Sequence, residues 1–91
     1  MKKIKVLNLE YEIIELSLVD NDIDLLGQIN HREQIIRIRN DISEERKKVV
    51  LLHEVLHAIF QQTGFNEEHN DEHLIESLSM ALYQVFKDNE L

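Results

Sequence analysis

The run Val49-Val50-Leu51-Leu52-His53-Glu54-Val55-Leu56-His57-Ala58-Ile59-Phe60 constrains this chain more than any other stretch. At helical periodicity its apolar residues cover well over half the circumference, and a helix apolar nearly all round packs into an interior. Set into that surface are two histidines four residues apart, with a glutamate directly after the first. Residues four apart share a helix face, so His53 and His57 can aim both imidazoles at one ion. Glu54 projects about 100° further round by the 3.6-residue turn, towards a water beside the ion rather than the ion itself. Two imidazoles and a carboxylate on a buried helix need partners, because unpaired polar burial is costly, and a metal supplies one. The H-E-x-x-H pattern is that of a zinc site with two ligands, one general base and one open position. The competing reading is a pair of hydrogen-bonded core histidines with Glu54 in solvent.

Length and composition bound the rest. Ninety-one residues predict a single small domain spanning 1–91, whose limited core a bound metal would reinforce. There is no cysteine, which excludes disulfides and cysteine-ligated metal sites and suits the cytosol. No wholly apolar run exceeds four residues, far short of a membrane span. The basic start Met1-Lys2-Lys3-Ile4-Lys5 is not followed by the apolar core of a signal peptide. A soluble, cytoplasmic protein is expected. Ten basic against eighteen acidic residues leave a net charge of −8, and Gly64 to Leu91 holds seven acids against one base, Lys87. That balance disfavours nucleic acid as a direct ligand, since phosphate contacts need clustered Lys and Arg. It serves solubility instead.

Along the chain, the first forty residues read as short strands. Ile4 and Val6 alternate with Lys3 and Lys5, the period of a half-buried strand, and Asn8 suits a tight connection. Tyr11 and Ile13 alternate with Glu10 and Glu12. The phase then slips to Ile14, Leu16 and Leu18, which predicts a bulge or a strand end; a helical reading of Leu7, Tyr11, Ile14 and Leu18 fits the same residues. Asp20-Asn21-Asp22-Ile23-Asp24 lacks the sixth-position Gly and twelfth-position Glu of a calcium loop, where Leu25 and His31 stand, and reads as a plain connection. Leu26–Asn30 and Gln34–Arg39 read as a hairpin around Asn30-His31-Arg32-Glu33, with His31 as a surface polar residue. Asp41 or Ser43 caps the motif helix, and Gly64 ends it. Phe65 to His69 reads as an acidic loop. Asn70 caps a second helix with the apolar stripe Leu74, Ile75, Leu78, Ala81, Leu82, Val85 and Phe86, running out at Asp88-Asn89. The expected class is α+β: three to four strands in an antiparallel or mixed sheet, packed on two helices with H-E-x-x-H on the first.

Catalytic zinc takes three protein ligands and one water, and Ala58 to Asn66 contains no His or Asp. The third ligand must come from further on. Glu72, Glu76 and His73 on the second helix are candidates, with His69 and Asp71 just before it. Glu72 and Glu76 share a helix face with Ser79 and Tyr83, and spacing leaves the choice between them open.

His53-Glu54-Val55-Leu56-His57, with Glu76-Ser77-Leu78-Ser79-Met80-Ala81-Leu82 nineteen residues later, resembles the ImmA/IrrE family of zinc metallopeptidases, themselves similar to gluzincins such as thermolysin. The likeness is best over Gly27 to Leu82. The family's E-x-x-A-N-x-F-like run has Ser79, Met80 and Leu82 here in place of Ala, Asn and Phe. The additional helices and DNA-binding module of larger members have no counterpart, as in a minimal, phage-type member. The resemblance implies a zincin-like domain holding Zn²⁺ through His53, His57 and Glu76, with Glu72 and then His73 as alternatives to Glu76. It implies a zinc-dependent endopeptidase acting on a regulatory protein, such as a repressor, in a phage or mobile-element setting. Zinc would acidify a water and polarise the scissile carbonyl, Glu54 would move the proton, and Tyr83, His73 or His69 would steady the oxyanion. The edge of the strand Ile35 to Arg39 would hold an extended peptide by strand addition. An alternative of another class, a zinc-stabilised interaction module that cuts nothing, keeps His53, His57 and Glu76 but has no need of Glu54. A metal-free structural protein is the third reading.

Overall fold

A computed structural model of the chain describes residues 2–90. Alternating strand residues begin the fold. β1 (Lys2–Val6) and β2 (Leu9–Leu16) pair antiparallel across the two-residue connection Leu7-Asn8, with Ile4 opposite Tyr11 and Val6 opposite Leu9. β2 continues to Leu16 without a bulge, so the predicted break and the helical alternative both fail. The phase slip at Ile13-Ile14 marks a change of neighbour instead. The earlier residues of β2 lie beside β1, whereas Glu12 to Leu16 pair in parallel with β4 (Ile35–Arg39).

β3 (Gly27–Asn30) pairs antiparallel with β4, Ile29 opposite Ile36, as the hairpin reading expects. The Asn30 side chain clamps the hairpin turn, accepting from Glu33 N at 2.9 Å and donating to Glu33 Oε1 at 2.8 Å. The sheet order is β1-β2-β4-β3. The strand expected at the edge, Ile35–Arg39, is therefore interior, flanked by β2 and β3. β3 is the edge on that side, because β4 returns from the hairpin into the place beside β2.

One face of this sheet carries Val6, Tyr11, Ile36 and Ile38, all buried, with Ile4, Leu9, Ile13 and Ile29 packed around them. α1 (Glu44–Thr63) covers that face through Ala58, Val50, Leu51, Val55 and Ile59. Ser43, not Asp41, is the N-cap of α1, its hydroxyl accepting from Arg46 N at 3.1 Å. Asp41 instead binds the buried Arg39, whose guanidinium also donates to Ile23 O at 2.7 Å and so ties the 20–26 connection to the sheet end. Arg39 holds the Asp41 carboxyl below the usual carboxylate range by direct hydrogen bonding.

Gly64, at φ 82°, closes α1 in the left-handed conformation a glycine tolerates best. The stretch read as an acidic loop then folds one short turn of helix, α2 (Asn66–His69). α3 (Glu72–Asp88) follows, capped by Asp71 rather than Asn70. It packs along α1 with Ile75 and Ser79 buried, while Val85 and Phe86 of its predicted stripe, and Met80 outside it, stay exposed. No helix among the described residues is long and apolar enough to cross a membrane.

At the centre of the core, the Tyr11 hydroxyl is buried without a hydrogen-bond partner among the described residues. An unsatisfied buried hydroxyl costs about 1–3 kcal/mol. Tyr11→Phe should therefore leave the urea unfolding midpoint unchanged or raise it; a clear fall would show that the hydroxyl has a partner after all.

Candidate metal centre

α1 presents its H-E-x-x-H turn at the rim of the sheet, beside edge strand β3. His53 and His57 lie one above the other, ring centroids 5.0 Å apart, with His57 buried and His53 half-buried. The first turn of α3 brings in Glu72 against both. Its Oε2 is 3.0 Å from His53 Nε2 and its Oε1 is 2.9 Å from His57 Nε2. Ligand atoms of His53, His57 and Glu72 all fall within 4.8 Å of one another. One helical turn later, Glu76 Oε2 approaches the other nitrogen of His53, Nδ1, at 3.1 Å. His57 Nδ1 stands 3.1 Å from His69 Nδ1 at the end of α2.

Two imidazole nitrogens and a carboxylate oxygen converging on one point are a donor set that fits a divalent cation of the zinc class. One choice of tautomer suits a cation here. With the proton on Nδ1 of each ring, donated to Glu76 and His69, both Nε2 lone pairs face the Glu72 carboxylate. Acceptors gathered in this way call for a cation between them.

Glu54 is buried against β3, beside His53 and Glu72. Its burial depends on Gly27: a Cβ there would stand 2.4 Å from Val50 Cγ1 and 3.1 Å from Glu54 Oε2. Burial, followed by the charges of Glu72 and Glu76, pushes the Glu54 carboxyl up to about 8. His57 moves down, chiefly through burial and against the opposing pull of Glu72. His31 is likewise lowered by burial and then by His69.

Two grooves flank the centre along β3. One, of about 510 Å³, runs from His53, Glu54 and Glu72 past Leu25, Val49, Val50, Met80 and Tyr83. The other, of about 470 Å³, is bordered by Gln28, His31, His57, His69 and Asn70.

Of the residues singled out in the sequence, His53, Glu54, His57, Glu72 and Glu76 meet here. His73 is exposed and makes none of these contacts, and Asp71 is occupied in capping α3. Tyr83 borders the apolar groove. His31, read as a surface polar side chain, stands edge-on against His69 with centroids 5.1 Å apart. Nothing in its spacing from the other histidines announces this; only the sheet register carries the hairpin turn to α2.

A family model described as IrrE N-terminal-like domain, Peptidase_M78, matches residues 8–82. No curated protein and no solved structure matches the chain.

Two outcomes follow from the packing of Glu54. Its folded carboxyl titrates near 8 against an ordinary 4.5, so the fold binds the extra proton between those values. Stability from neutral Glu54 is then full below about 4.5 and lost as pH rises towards 8. In metal-free protein, Glu54→Gln should gain stability over the parent by a few kcal/mol across that window, measured by urea unfolding at stepped pH; a constant difference would refute the burial argument. Gly27→Ala should cost about 1–3 kcal/mol in the same assay through overpacking against Val50.

Proposed function

Because the chain belongs to the IrrE N-terminal-like family, Peptidase_M78, we propose that it acts as one domain and as a zinc-dependent endopeptidase, with Glu54 as general base. His53, His57 and Glu72 would hold the metal. The observation that carries the reading is the convergence of both Nε2 atoms on one carboxylate, beside a buried glutamate. The resemblance in sequence assigned the third position to Glu76. Glu72 takes it in this proposal because its two oxygens reach both Nε2 atoms, whereas Glu76 meets His53 at Nδ1. Glu76 then orients His53, the usual work of a carboxylate behind a metal-bound imidazole.

When bound, zinc supplies polarisation of a peptide carbonyl and a more acidic water. The chain does the rest. Glu54 takes the proton of the attacking water and returns it to the leaving amine, general base and then general acid. In the metal-free chain burial and then two neighbouring carboxylates raise its proton affinity; a bound cation would offset those charges and lower it, leaving Glu54 free to accept a proton. β3 has an unpaired edge alongside the centre, and an extended peptide can add there as a further strand. Leu25, Val49, Val50 and Met80 offer an apolar wall for a side chain on one side of the cut. The substrate would be a regulatory protein of the cytoplasm, in a phage or mobile-element setting. The net charge of −8 speaks against direct nucleic-acid binding. The exposed Met80, Val85 and Phe86 on α3 favour a second reading, a metal-stabilised module that binds a partner without cutting it.

The two readings separate at Glu54. Glu54→Gln should retain one zinc per chain by elemental analysis and lose about 10²–10⁴-fold in cleavage of a denatured protein substrate, the usual contribution of a general base. Cleavage at the parent's rate would end the enzyme proposal. Glu72→Ala should lose the zinc, and Glu76→Ala should keep it with affinity lowered about 10–100-fold; the reverse pattern would return the third ligand to Glu76.

A further inference from the structure

The two imidazoles of the centre are held by different groups. His53 has a carboxylate behind it, Glu76. Behind His57 stands another imidazole: His69, Nδ1 to Nδ1 at 3.1 Å, with the rings T-shaped and 4.9 Å apart. His31 in turn meets the ring of His69 at 66°, 5.1 Å between centroids. We infer that His69 is a positioning residue for the metal centre: its Nδ1 accepts the Nδ1–H of His57, which fixes the tautomer that turns the His57 Nε2 lone pair towards the metal. His31 braces the ring of His69 from the sheet side. The inference rests on the metal reading above.

Local structure explains how His69 comes to this place. Gly64 turns the chain at the end of α1, where its N–H and that of Phe65 both donate to Phe60 O. The Phe65 ring packs against Phe60, centroids 6.2 Å apart. One turn of helix then suffices to bring the chain back along α1. It is held by His69 N donating to Phe65 O at 2.9 Å and by the Asn70 side chain donating to Asn66 O at 2.9 Å. His69 thereby lies beside a residue twelve positions earlier. Without α2 the connection between α1 and α3 would leave the buried Nδ1 of His57 with no acceptor from this side. A metal-bound histidine almost always donates its second N–H to an acceptor, because that bond fixes the ring and raises its basicity. An imidazole serves when its own proton sits on Nε2, leaving Nδ1 as the acceptor.

The test is zinc affinity, measured by competition with a chromophoric chelator, on the parent, His69→Ala and His69→Asn. The visible spectrum of the Co²⁺-substituted proteins is recorded alongside. His69→Ala should bind zinc about 10–100-fold more weakly and shift the Co²⁺ bands. His69→Asn places an acceptor oxygen at the δ position and should recover most of the affinity and the parent spectrum. Urea unfolding of the metal-free proteins should be alike, since the effect lies in the liganded ring and not in the fold. Parent-like affinity in His69→Ala would overturn the inference and leave the His69 main-chain carbonyl as the acceptor for His57. Failure of Asn to outperform Ala would also overturn it. If the parent itself takes up no zinc, the metal reading falls and this inference with it.

Discussion

The close approach of α1 to β3 at Gly27 is what the rest depends on. Gly27 has no side chain, so Val50 and Glu54 settle directly on the strand backbone. That contact buries Glu54, sets the roll of α1 about its axis, and so sends His53 and His57 to the rim of the sheet rather than into it. A larger residue at Gly27 would lift the helix and rotate both imidazoles. The same contact keeps the edge of β3 level with the motif turn, which is where an extended ligand would need it.

Electrostatics completes what packing begins. Glu54, Glu72 and Glu76 crowd one corner of a domain that already carries net charge −8. An imidazole depressed by burial, as His57 is, does little to offset the charges of Glu72 and Glu76. A divalent cation among His53, His57 and Glu72 would offset them. It would relieve repulsion, satisfy lone pairs and join α1 to α3, whose meeting at this end otherwise relies on the exposed carboxylates of Glu72 and Glu76. In a chain of 91 residues with a core built around Tyr11, Ile36, Ile38 and Ala58, such a cross-link is worth more than in a larger protein.

Much of this was legible along the chain because it is local. The strand alternations, the 27–39 hairpin, the motif helix from Ser43 to Gly64 and the final helix to Asp88 follow from periods of two and 3.6 and from capping residues that act within a turn. The places where expectation and structure part are those where two local signals competed. Asp41 and Ser43 both suit a cap, and the pull of Arg39 on Asp41 decides for Ser43. Ile13-Ile14 reads as a break because Ile14 and Leu16 are apolar yet only half-buried, on the face opposite the core. Phe65 to His69 looks like a loop because a single helical turn is too short to show a period.

By itself, then, the order of residues determined that His53, Glu54 and His57 share one helical turn, since a 3.6-residue repeat needs no tertiary contact. It narrowed the acid that faces them to one helix without choosing between Glu72 and Glu76, which lie on the same face. Tertiary structure decided the rest: that β3 and not β4 is the free edge, that Glu72 reaches both Nε2 atoms, and that His31 and His69 stand behind His57. Each depends on register and on the angle at which α3 meets α1, quantities set by the packing of distant side chains rather than by any neighbour in the chain.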